Sequence, residues 1–203
     1  MEFKIDIKGL NEIVKELDDL AKKQLPFAIA RSLTMTASDA RKKIIQEMPM
    51  RFTIRTGWLT SKYGPRVEMA TKQNMSAKVF ITAPWIIGFE KGEIRTPEGK
   101  FFTIPTENVR RTKRDLIAKT MKPSYLLHQA KRKAFFVNTK VGLKVIAQRV
   151  SKKRYPLKIM YYLVPKAKIT PRLFFEQTCR GIVYENWRKN FDIALDEAIR
   201  TAK

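Results

Sequence analysis

Cysteine and histidine are nearly missing from this 203-residue chain, which has one of each, Cys179 and His128. Intramolecular disulfides are thereby excluded, and zinc sites built from Cys and His nearly so. A single thiol fits a reducing compartment. No apolar run reaches the ~18 residues that a bilayer span requires. The opening Met1-Glu2-Phe3-Lys4-Ile5-Asp6 places charges where a secretion signal needs an apolar stretch. Acidic side chains are scarce as well: 19 Asp and Glu stand against 42 Lys and Arg, a net charge of +23. Hydrophobic residues still make up 44% and aromatics 10%, the composition of a chain with a core rather than a disordered one. The length suits one compact domain, or one domain carrying a sizeable insertion.

Familiar catalytic motifs are absent too: there is no Gly-x-Gly-x-x-Gly, P-loop, His-Glu-x-x-His or Gly-x-Ser-x-Gly. A histidine-assisted nucleophile would have to recruit His128, whose setting Tyr125-Leu126-Leu127-His128-Gln129 predicts a partly buried structural side chain instead. Cys179 falls on the apolar stripe of a long helix, where a thiol acts as a small hydrophobe. Glu98 two residues before Lys100, with Glu90 or Glu93 upstream, is a pattern that one nuclease class uses for Mg²⁺. Such hydrolysis needs several converging carboxylates, and Pro97-Glu98-Gly99 is ordinary turn chemistry, so a surface turn is the reading preferred. Neither an enzymatic role nor a cofactor is expected.

The positive charge is concentrated. Residues 91–160 hold 19 basic and 4 acidic side chains. Three clusters dominate: Arg110, Arg111, Lys113 and Arg114; then Lys131, Arg132 and Lys133; then Lys152, Lys153 and Arg154. Self-repulsion on this scale opposes compaction unless a polyanion or an acidic protein surface lies nearby. These ten residues are therefore the candidate contacts for nucleic acid or an acidic partner; a solvated face that only aids solubility is the alternative. Aromatics interleave with cations at Arg132-Lys133-Ala134-Phe135-Phe136 and Lys153-Arg154-Tyr155, but no helix-turn-helix, zinc-finger or RNA-binding signature accompanies them.

Along the chain, Phe3–Ile7 alternates as a strand does, and Leu10, Ile13, Val14, Leu17 and Leu20 follow at helical spacing. Pro26 predicts a break near Gln24–Leu25 and a second helix to Met48, with Ala30, Leu33, Ala37, Ala40, Ile44 and Met48 as its stripe and Pro49 as its end. Arg66–Thr71 and Ala77–Thr82 read as a hairpin, and Lys100–Ile104 as a strand ended by Pro105. Glu107–Met121 reads as a basic helix, and Phe135–Asn138, Leu143–Val150 and Leu157–Val164 as strands, the last two pairing across Ser151–Arg154. Thr170 and Pro171 read as the cap and first residue of a final helix. Its stripe is Phe175, Cys179, Ile182, Val183, Trp187, Phe191, Leu195, Ala198 and Ile199. The fold class is α+β: N-terminal helices and a long C-terminal helix packed on a mostly antiparallel sheet.

Three patterns in order resemble a known group. Gly9-Leu10 and an amphipathic helix are followed by Arg55-Thr56-Gly57-Trp58-Leu59-Thr60-Ser61. Next come Trp85-Ile86-Ile87-Gly88-Phe89-Glu90-Lys91-Gly92 and then Thr170-Pro171-Arg172-Leu173-Phe174-Phe175. Together with Arg154-Tyr155-Pro156-Leu157, these are similar to the tail-completion (neck) proteins of long-tailed bacteriophages, in particular the minor tail protein Z branch. The matching positions are Thr56, Gly57, Leu59, Glu90, Gly92, Tyr155, Pro156, Pro171, Arg172 and Phe174, with Leu173 standing where the group has proline. Residues 93–130 match poorly and look like a variable, basic insertion in a single domain spanning 1–203.

The resemblance implies a virion structural protein, assembled in the host cytoplasm, that completes the head-proximal end of a tail and helps join it to the head. It implies a homo-oligomeric ring, hexameric to match tail symmetry, with tail terminator or tail tube, head-tail connector and tape-measure proteins as neighbours. Genomic DNA would pass through the lumen and be contacted without regard to sequence. No membrane contact is implied. The alternative is a soluble, non-specific nucleic-acid-binding protein that uses its basic middle region.

Overall fold

The computed structural model describes residues 1–6, 19–131 and 133–201. The expected first helix through Leu10, Ile13, Val14 and Leu17 lies outside them, as does Arg132. The architecture is α+β, and the chain divides into two compact units, Met1–Lys91 with Pro171–Lys203, and Gly92–Thr170. The insertion expected at 93–130 is thus the first part of a longer unit that also takes in the strands at 135–164.

The first unit is built on a three-stranded antiparallel sheet of β1 (Glu2–Asp6), β2 (Pro65–Glu68) and β3 (Ser76–Ile81), with β3 central. Ile5 pairs with Ala77 and Phe3 with Val79, so one face of the sheet is apolar, as period-two alternation requires. Helix α1 (Asp19–Arg51) covers that face with Ile29, Leu33, Ala37, Ala40, Ile44 and Met48, spaced by threes and fours. Helix α4 (Phe175–Thr201) packs along α1, contributing Phe175, Cys179 and Ile182 to the same core. Where the helices meet again, Ala28 faces Ala194 and Ala198, small side chains that permit close backbone approach.

Three expectations are corrected here. No break separates two helices at Gln24–Leu25: α1 runs through Pro26 and past Pro49 to Arg51. An interior proline costs roughly 3 kcal/mol, but Ala28, Ile29 and Leu33 just beyond it are buried, and their packing offsets that loss. Pro49 falls in the last turn, where Phe52 N–H still donates to the Met48 carbonyl at 2.9 Å. The final helix starts at Phe175, not after Thr170. Its Ile199 is largely exposed, whereas Asn190 and Ala194 are buried.

The second unit is mostly sheet. β5 (Phe102–Pro105), β6 (Phe135–Asn138), β7 (Lys144–Arg149) and β8 (Leu157–Val164) form an antiparallel sheet in the order β5-β8-β7-β6. Its core joins Val109, Leu126, Ala134, Ile146, Met160, Tyr161 and Leu163. The short helix α3 (Pro123–His128) supplies Leu126, and the Tyr161 hydroxyl donates to the Met121 carbonyl at 2.6 Å. β4 (Glu93–Arg95) and β9 (Ala167–Ile169), the first and last strands of this unit, pair with each other.

The helix expected over Glu107–Met121 is absent. Thr106 and Asn108 donate instead to the single carbonyl of Ile159, at 2.7 and 2.8 Å, tying the chain to the start of β8. Thr112 closes a turn in which Asp115 takes a positive φ of 57°. Thr and Asn side chains that bond nearby backbone compete with helix, and here the competition is won by the sheet edge. Among the described residues, no helix is long and apolar enough to cross a membrane.

Candidate functional site

Segments far apart in sequence meet at the start of α4. The short helix α2 (Gly88–Lys91) presents Glu90, whose carboxylate accepts from the backbone N–H of Phe175 at 2.8 Å and of Glu176 at 3.0 Å. Those are two of the N–H groups that a helix start leaves unsatisfied, and a negative charge there also suits the helix dipole. The cap is thus supplied from 85 residues upstream, which is why Thr170 and Pro171 do not begin the helix. The Phe89 carbonyl accepts from both Arg172 N–H (2.8 Å) and Leu173 N–H (2.9 Å). Proline at position 173 would lack the second donor, so the departure from the resembled motif is used here as a hydrogen bond, with the Leu173 side chain buried.

The Arg172 guanidinium sits 4.9 Å from the ring centres of both Phe52 and Phe89, which meet edge to face at 5.2 Å. Arg51 bonds the Leu173 carbonyl, lies 5.2 Å from the Phe174 ring and pairs with Glu47 at 2.7 Å. Glu47 in turn accepts from Thr178 on α4 at 2.9 Å. Phe174 itself takes a φ of 52°, held by this surrounding net. Pro171 is exposed beside it.

The Thr56–Ser61 motif forms a 3₁₀ turn, Gly57–Thr60, with Thr56 ahead of it and Leu59 buried. Trp58 meets Trp85 edge-on at 6.1 Å, and Tyr63 lies 5.5 Å from Trp85. Gly64 closes the turn. A Cβ there would stand 2.0 Å from the Leu59 carbonyl oxygen, so only glycine fits. Cys179 is fully buried, and its thiol is pushed up to about 12, first by burial and then by Glu90 and Glu176.

Gly92 takes a φ of 79° at the start of the second unit, and Tyr155 and Pro156 are exposed in its β7–β8 turn. That unit carries 20 basic and 4 acidic residues between Gly92 and Thr170. Two of the three basic clusters are brought toward one end of its four-stranded sheet. Lys152, Lys153 and Arg154 form the β7–β8 turn, with the Arg154 guanidinium 5.8 Å from the Tyr155 ring. β6 runs antiparallel to β7 and starts at Phe135 opposite Ala147, so Lys131 and Lys133 precede it at that same end. The chain leaving β5 runs along the start of β8 through Thr106 and Asn108 before reaching Arg110, Arg111, Lys113 and Arg114. All nine described cations of these clusters are exposed. Burial raises the Tyr161 hydroxyl, opposed in part by the charge of Arg111, which is held to Asp115 at 3.4 Å.

No family model, curated protein or solved structure matches the chain.

His128 is exposed at the end of α3, not partly buried as expected. Glu98 and Lys100 are exposed in the bend before β5, and among the described residues no three His, Cys, Asp or Glu side chains converge as a metal site would require. Sequence reasoning missed Arg51, Phe52 and Glu47 at the start of α4, and Asn190, whose Nδ2 donates to Thr36 Oγ1 at 3.1 Å and Asp39 Oδ2 at 3.0 Å. An asparagine replacing an apolar residue on a helical stripe was the available signal.

Proposed function

We propose that this chain is a virion structural protein, one subunit of a ring that completes the head-proximal end of a phage tail and helps join it to the head. The observation that carries the reading is the convergence at the start of α4. The two resembled motifs are bonded to each other there: the Phe89 carbonyl accepts from Arg172 and Leu173, and the Glu90 carboxylate from Phe175 and Glu176. A motif pair 85 residues apart that makes one structural joint is what a shared fold demands. The second unit fits the same role. Its exposed Lys131 and Lys133 meet Lys152, Lys153 and Arg154 at one end of a sheet, suited to phosphates that slide past without being read. A ring forms only if one heterologous contact repeats with a closing rotation, so the subunit's role is inseparable from its assembly. Tail terminator or tube, connector and tape-measure proteins are the proposed neighbours.

Mass spectrometry of purified particles, with electron microscopy of the neck, tests this. The chain is expected there in ring stoichiometry; particles that lack it overturn the reading. A second reading, a soluble nucleic-acid-binding protein, is favoured by the meeting of two cationic clusters at one sheet end and the exposure of the third. It requires tight duplex binding by the isolated subunit with a steep salt slope, whereas the ring reading expects only modest affinity before assembly.

A further inference from the structure

We propose that the outer edge of β6, with the groove beside it, binds an extended acidic peptide through its backbone and one apolar anchor. This goes beyond the ring reading and does not depend on it. The strand order β5-β8-β7-β6 leaves β6 with a single partner among the described residues. The hairpin bond from Thr139 N–H to the Leu143 carbonyl, at 2.8 Å, sets the phase of the ladder. Counting back in twos, Val137 and Phe135 bond to β7, and the backbone groups of Phe136 and Asn138 point to the open edge. Such an edge accepts another strand in register.

The groove next to this edge measures about 580 Å³. Its floor is Ile146 and Leu163, its walls Leu127 and Phe101, and Phe136 stands at its mouth, 64% exposed. Phe136 and Ile146 are cross-strand partners and share a face, so a side chain from an added strand would enter alongside Phe136. The charges on the rim are Lys100 and Lys144, the latter 5.1 Å from the Phe101 ring. Lys133 precedes β6 and Lys140 follows it, both exposed, while none of the four acidic residues of this unit lines the groove. Charge complementarity therefore selects an anionic occupant. The strand edge and aliphatic floor select a peptide over a nucleic-acid strand, which has no amide ladder to offer and would meet few stacking surfaces.

The full-length protein is titrated with a fluorescein-labelled octapeptide in which two leucines alternate with glutamates, read by anisotropy. Binding is expected, with at least a tenfold loss for Lys144→Glu, for Phe136→Ser, and for peptides carrying serine for leucine or N-methylated alternate amides. The charge-matched Lys189→Glu variant, on α4, is expected to change affinity less than twofold. The N-methylated peptide leaves the protein untouched, so its result is independent of any folding defect in a variant. Failure of the parent peptide to bind, or equal binding by the N-methylated or serine peptide, overturns the proposal. So does a ten-nucleotide oligothymidylate that loses the same affinity on Phe136→Ser, which would assign the groove to a nucleic-acid strand.

Discussion

In the unit formed by residues 1–91 and 171–203, α1 and α4 close on each other through alanines and through buried Thr36 and Asn190 bonded to half-buried Asp39, over a sheet whose inner face is apolar. In the unit formed by residues 92–170, a core of seven buried side chains supports a chain segment with 20 cations against 4 anions. The first is organised by packing, so its integrity follows volume and shape. The second carries most of the uncompensated charge, so its behaviour follows ionic strength. One chain thus holds a rigid frame and a cationic surface element, and the two answer to different perturbations.

The largest effect is expected where packing rules. Leu33→Ala should cost about 2–5 kcal/mol in denaturant unfolding, because Leu33 is fully buried between sheet and helices. A cost below 1 kcal/mol would mean the frame is looser than described. The contrast is broken from the other side by replacing Lys152, Lys153 and Arg154 together with glutamine. If each meets a phosphate, the log–log salt slope of duplex binding flattens by about 2.7, with no change in unfolding midpoint at high salt. An unchanged slope removes this turn from the contact surface. Gly64→Ala forces the Leu59 carbonyl to move and should cost about 1–3 kcal/mol, read in the same unfolding assay.

The smallest effect is alkaline. Cys179 keeps its proton in the folded chain to about 12, against an ordinary 9.0, so the unfolded chain releases it first. Stability from this group is intact below pH 9 and falls as the pH rises from there toward 12. Urea midpoints measured from pH 7.5 to 10.5 should decline less steeply in Cys179→Ala than in the parent. An equal decline would show that the thiol is not shielded.

Much of the framework was legible. The α1 stripe from Leu33 to Met48, the β2–β3 hairpin and the three strands after Phe135 all follow from local spacing, because each buries one face against something and the period survives in the sequence. The failures share one cause, which is that a distant residue decided the outcome. Pro26 is carried inside α1 by packing beyond it, and the start of α4 is fixed by Glu90. The segment 107–121 is drawn out of helix by the Ile159 carbonyl of β8. The basic clusters were readable as charge, but the meeting of Lys131 and Lys133 with Lys152, Lys153 and Arg154 at one end of a sheet depends on strand register, which composition does not encode.

The pairing of β4 with β9 has a consequence for how such a chain can be rebuilt. Glu93 stands opposite Ile169, and Phe89 holds Arg172 and Leu173, so both connections between the units leave and return side by side. A segment whose two ends emerge together can be exchanged as a cassette. A short Gly-rich turn joining Lys91 to Pro171 would leave the Glu90 cap and the helical frame in place, and a differently charged module grafted there would reset the chain's net charge without touching that frame.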